Sequence, residues 1–146
     1  MLNPAQAFSD ACLLLGRLLL GLYFILPGLS KIQDFEGMSA YMAAHNVPMI
    51  PVLLTLTIVI QLGAGAMLIV GFRGRIAAFL LAGLTLVISI AMHNFWAYPD
   101  GIERGHETQN FVKNMAIMAG LLVVSALGCS RFSLDNRSQN KGGWAD

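Results

Sequence analysis

Charge is what this sequence has least of. Only 12% of its 146 residues are Asp, Glu, Lys or Arg, against about 25% in an ordinary soluble domain. So few charges could not solvate a sphere of this size, which excludes a conventional soluble domain and implies that lipid covers most of the surface. The net charge is +1, which gives nucleic acid no electrostatic foothold. Cysteine is scarce too. Cys12 and Cys129 lie near opposite chain ends with no CxxC spacing, which argues against a thiol–disulfide active site of the usual kind. Met1 to Asp10 carries no basic residue and no small-x-small cleavage site at the right distance, so no removable signal peptide is expected.

What is abundant is apolar sequence, 56% of the chain, and it falls into four runs. They are Ala11 to Leu29, Val52 to Phe72, Ile76 to Phe95 and Phe111 to Leu127. Each is near the ~20 residues that a spanning helix needs, and the fourth is the shortest. The expected fold is an all-α membrane protein, a bundle of four transmembrane helices forming a single domain over residues 1–146, with a polar tail over 131–146. Fifteen glycines suit close helix approach in a bilayer. Between the first two runs, Phe35, Met38, Tyr41, Met42 and His45 recur at helical spacing. They predict a short amphipathic helix at the interface, ended by Pro48, with Pro51 in the first turn of the next span. Arg73-Gly74-Arg75 reads as a tight turn, and Ala97 to Asn110 as a polar loop.

Four spans put both termini on one side. Arg73, Arg75, Arg131, Arg137 and Lys141 share that side, against Lys31, Arg104 and Lys113 on the other. The positive-inside rule therefore places both termini in the cytoplasm, and all three histidines outside. Gly16-Arg17 and Gly74-Arg75, about 58 residues apart, hint at a duplicated helix pair.

Several polar residues stand out against this apolar background. Arg17 lies about two turns inside the first run. It either contacts an anion or cofactor within the bundle or snorkels to headgroups. Gln61 sits near the middle of the second run, too deep to snorkel, and a buried amide needs a partner. That partner is either a ligand, such as a quinone carbonyl, or a neighbouring helix. Pro27-Gly28 would break the end of the first span, freeing the carbonyl of Tyr23. Glu107, Asn110, Lys113 and Asn114 fall on one stripe, and with Lys31 and His93 they could gather below the outer surface. Trp96 and Tyr98 read as aromatic-belt residues. No histidine pair has i, i+4 spacing, so no metal site is assigned. His45, His93 and His106 are the candidates should copper or zinc be handled at the outer face. Most of the eight methionines lie inside apolar runs, where they fill space.

The ordered set Gly16-Arg17, Pro27-Gly28-Leu29-Ser30-Lys31, Gln61-Leu62-Gly63-Ala64-Gly65, Gly71-Phe72-Arg73-Gly74-Arg75, His93-Asn94-Phe95, Asn110-Phe111-Val112-Lys113-Asn114 and Phe132-Ser133-Leu134-Asp135 resembles the DoxX family of small bacterial four-helix membrane proteins. The resemblance runs from about Leu13 to Asp135. It implies a multi-pass protein of the bacterial inner membrane, associated as a subunit with quinone-linked oxidoreductases or redox-stress complexes. It gives weight to Arg17, Lys31, Gln61, His93, Lys113 and Asn114 as motif positions and cofactor-binding candidates, and assigns none of them a catalytic role. It also implies a protein partner or a homo-oligomer and leaves the cofactor open, a quinone being the group it suggests. Many relatives carry Glu where this chain has Gln61, which puts an intramembrane proton role there in doubt. Gly128-Cys129-Ser130 stands where Gly-Pro-Gly is common. The expectation is a redox-associated membrane subunit without a complete catalytic site of its own. The alternatives are metal handling, or a non-catalytic scaffold or small-molecule passage.

Overall fold

The fold follows from where helices can start, stop and approach one another. The computed structural model describes residues 3–136. Arg137, Lys141 and the tail beyond residue 136 lie outside the described residues. Five α-helices are present, α1 Pro4–Gln33, α2 Phe35–Ala44, α3 Ile50–Val70, α4 Gly74–Met92 and α5 Ile102–Leu127, with a short 3-10 turn Phe95–Ala97 before α5. There is no strand among the described residues. The helices α1, α3, α4 (continued through the 3-10 turn) and α5 are each long and apolar enough to cross a bilayer.

Two spans are longer than the hydropathy predicts. Helix α1 begins at Pro4, with Asn3 as N-cap accepting from the Ala5 amide at 3.1 Å. Proline is tolerated at the first helical position because its missing N–H would have no partner there. The helix also runs through Pro27 to Gln33 instead of breaking. Its 30 residues reach about 45 Å, well beyond the ~30 Å hydrocarbon core, so its ends project or it tilts. Helix α5 has 26 residues and is not the shortest span. It starts at Ile102, so most of the expected polar loop is helix. Arg104 pairs with Asp100, and Thr108 donates its hydroxyl to the Arg104 carbonyl at 2.7 Å. Apolar periodicity reports where lipid begins, and these charged turns extend the helix beyond it.

Packing runs mainly by pairs, α1 against α3 and α4 against α5, joined through α3 and α4. Phe24, Ala64, Leu68, Ala77, Leu81, Leu121 and Val124 form the central core. Leu54, Ile58 and Met92 form a second cluster with Met42 of α2. The apolar stripe of α2, with Phe35, Met38 and Met42, is thus turned onto the bundle. Most of the remaining large apolar side chains, such as Leu19, Val59, Phe79 and Val87, face outward, as lipid-facing residues should.

The end of the bundle where α1 begins and α5 finishes is closed by a latch. Gly71 ends α3 in a left-handed conformation (φ 69°), with Phe72 N–H reaching the Met67 carbonyl at 3.0 Å. Helix α4 then starts at Gly74 with no cap from its own segment. Asp135 supplies one from the far end of the chain. Its carboxylate accepts from Arg73 N–H at 2.7 Å and Gly74 N–H at 3.0 Å, and its own amide donates to the Gly71 carbonyl at 3.0 Å. Nearby, Arg131 pairs with Asp10 at 3.1 Å. The tail motif is therefore a structural cap. Asp135→Ala should lower stability by about 1–2 kcal/mol, the cost of losing an N-cap. Thermal melting in detergent reads this, and an unchanged midpoint would mean that the latch holds nothing.

Candidate functional site

At the opposite end, side-chain stripes from all five helices converge on one cavity of about 240 Å³. On α1, Tyr23, Pro27 and Lys31 are spaced by four residues and share a face. The same spacing brings Thr57 and Gln61 inward from α3. Helix α5 contributes Asn110, Lys113 and Asn114, and α4 contributes Thr85 and Met92, with His93 immediately after it. Met38, Tyr41 and Met42 of α2 complete the lining. The short helix expected at the interface thus forms one wall of the cavity. Helices α1 and α5 touch little, and both contribute to the lining of the cavity.

Gln61 is 5% exposed, and its Oε1 has no hydrogen-bond partner among the described residues. An amide this deep normally finds one. Gln61 Oε1 thus makes no hydrogen bond to a neighbouring helix among the described residues. Asn114 is also buried, its Oδ1 accepting from the Tyr23 hydroxyl at 3.5 Å. Lys113 donates to Asn110 Oδ1 at 3.0 Å, and Lys31 to the Pro27 carbonyl at 3.5 Å. No Asp or Glu lines the cavity among the described residues.

His93 stands at the rim, its Nδ1 2.8 Å from Glu107 Oε2, with both side chains largely covered. A carboxylate at Nδ1 fixes the proton there in the neutral ring and leaves Nε2 as acceptor. Glu107 also acts on Tyr41, whose phenol is raised above its ordinary value. Burial is the main cause, followed by the negative charge of Glu107 and then Tyr98. His45 lies apart from this pair, with Nδ1 3.0 Å from the Tyr41 carbonyl and its ring 4.5 Å from that of Tyr41. His106 is exposed. No three His, Cys, Asp or Glu side chains converge as metal ligands among the described residues.

Five of the six sequence candidates therefore meet at this cavity: Lys31, Gln61, His93, Lys113 and Asn114. Arg17 does not. It lies fourteen residues from Lys31, about 21 Å along α1, at the terminal end. There it is 2% exposed and donates through Nη2 to the Phe132 carbonyl. It neither snorkels nor reaches the cavity, because the segment after α5 folds over it. Tyr23, Thr57 and Thr85 were not singled out beforehand. The four-residue spacings of Tyr23 to Pro27 and Thr57 to Gln61 were the available signal.

Four apolar spans around a largely apolar cavity with polar groups set in its wall define a small multi-pass integral membrane protein with a pocket inside its bundle. Comparison with known proteins narrows the class: the chain belongs to the DoxX family, whose model matches residues 12–94. It is 31% identical over 136 residues to the inner membrane protein YqjF of Escherichia coli (strain K12), covering 93% of this chain and 98% of that one. It is also 31% identical over 131 residues to the inner membrane protein YphA of the same organism, covering 90% and 93% of the two chains. No solved structure matches it significantly. The family match contains Lys31, Gln61 and His93 and ends before Lys113 and Asn114.

Proposed function

We propose that this protein is a membrane subunit of a bacterial redox system, lying in the inner membrane with both termini cytoplasmic, and that its cavity binds the headgroup of a quinone. The observation that carries this reading is Gln61, an amide 5% exposed with an unpartnered oxygen, set in a cavity inside a lipid-facing bundle. Its oxygen and nitrogen are interchangeable by a flip. The group can therefore accept from a ring hydroxyl or donate to a ring carbonyl. Lys31, Lys113 and Asn114 supply further donors. The cavity is smaller than the 300–1,000 Å³ range of drug-sized sites, a size suited to one substituted ring whose apolar tail leaves between α1 and α5 into lipid. Bound quinone supplies two-electron chemistry. The chain's part is to hold and orient the ring, and His93 with Glu107 offers a proton path at the rim. Electrons would come from a partner subunit.

Gentle extraction from the native membrane, followed by mass spectrometry of bound small molecules, tests the reading. The expected result is one quinone per chain, with occupancy lowered in Lys113→Ala. Purified protein that carries no quinone and takes up none when it is added would overturn it.

A further inference from the structure

The cavity is lined by two lysines and no carboxylate. Neither lysine is among the ion pairs of the described residues, and the Glu107 carboxylate lies 2.8 Å from His93 Nδ1. The acceptors that Lys31 and Lys113 do have are a backbone carbonyl and an amide oxygen, which orient an ammonium without cancelling its charge. Lys31 is partly covered and Lys113 is exposed, and an ammonium that faces a largely apolar cavity in a membrane bundle is stabilised by a counter-charge. Lys31 comes from α1 and Lys113 from α5, and both line the same cavity, so an anion held there would meet a lysine from each helix.

We infer that the cavity selects a ring in its singly ionised form, with a ring oxyanion between Lys31 and Lys113 and Gln61 on the ring's other oxygen. This rests on the reading of the cavity as a quinone site and adds the charge state of what it takes. A charge-assisted hydrogen bond is about twice as strong as a neutral one, so the ionised ring should outcompete an uncharged ring of the same shape. A ligand that enters protonated releases its hydroxyl proton to the solvent.

The test uses the full chain in detergent or nanodiscs and two probes, 2-hydroxy-1,4-naphthoquinone and 1,4-naphthoquinone. The hydroxylated probe should bind at least about tenfold tighter at neutral pH. Its anion absorption should persist to lower pH when bound than when free. Lys31→Met with Lys113→Met should bring the two probes level, while Lys31→Arg with Lys113→Arg should keep the preference and show that the fold survives substitution there. Equal binding of both probes to the unaltered protein would overturn this inference alone. Binding of neither would overturn it together with the quinone reading. Dodecanoate bound as tightly as the hydroxylated probe would replace the ring with a simple carboxylate and overturn it as well.

Discussion

Gly21→Leu should destabilise the bundle by about 3 kcal/mol or more, lowering its thermal midpoint by roughly 6–12 °C. A Cβ on Gly21 would lie 2.9 Å from the Gly65 carbonyl oxygen, and one on Gly65 would lie 3.2 Å from the Gly21 carbonyl oxygen. The two helices cross backbone against backbone. A carbonyl in a helix cannot swing aside as a flexible side chain can, so the helices would have to separate. Apolar side chains gain nothing from leaving lipid for one another. Close packing and interhelical hydrogen bonds therefore carry the association, and separation forfeits the packing. Helix α1 also provides the Tyr23, Pro27 and Lys31 wall of the cavity, so ligand binding should fall with stability. Gly63→Leu is the control. It lies in α3, two residues from Gly65, and a Cβ there meets nothing within 4 Å, so it should melt like the unaltered protein. Equal destabilisation by the two substitutions would show that the added side-chain bulk itself, not the crossing, sets the cost.

How much of this was legible beforehand depended on whether the cause was local. The spans could be read because lipid imposes a one-dimensional rule on composition. The rule fails at their ends. Asn3-Pro4 starts α1 by local capping, and Glu103, Arg104 and Thr108 continue helix α5 outside the apolar run. The stripe of Asn110, Lys113 and Asn114 could be found because i, i+3, i+4 spacing is local. Its meeting with Lys31 and His93 follows from packing four spans into a bundle, whereas its meeting with Gln61 depends on how deep the cavity runs. Arg17 was different. Its environment depends on the Phe132 carbonyl, 115 residues away, and depth along a span cannot distinguish a snorkelling arginine from one covered by a returning tail. The capping of α4 by Asp135 was hidden for the same reason. The Gly-Phe-Arg-Gly-Arg and Ser-Leu-Asp segments were visible as separate motifs, and only the fold shows that they are two halves of one turn.

Gln61→Leu should stabilise the ligand-free protein and weaken quinone binding together. Leaving a buried polar atom unpartnered costs about 1–3 kcal/mol, and Gln61 Oε1 is such an atom. Leucine removes it and adds apolar contact toward Leu54 and Ile58, the buried residues one and two turns back on the same helix. A gain of about 1 kcal/mol, roughly 2–4 °C in thermal midpoint, is expected. Loss of the amide should weaken binding of a quinone headgroup by about ten- to hundredfold, the worth of a well-desolvated hydrogen bond. The two effects oppose each other only if the amide is kept for a ligand, because a residue retained for function is often a stability liability. An amide that ties helices together would behave otherwise, since removing it would lower the melting point and leave binding to follow the loss of fold. Thermal melts of the ligand-free protein and quinone titrations on the same preparations separate the cases. A lowered midpoint in Gln61→Leu would sink the ligand role, whatever happened to binding.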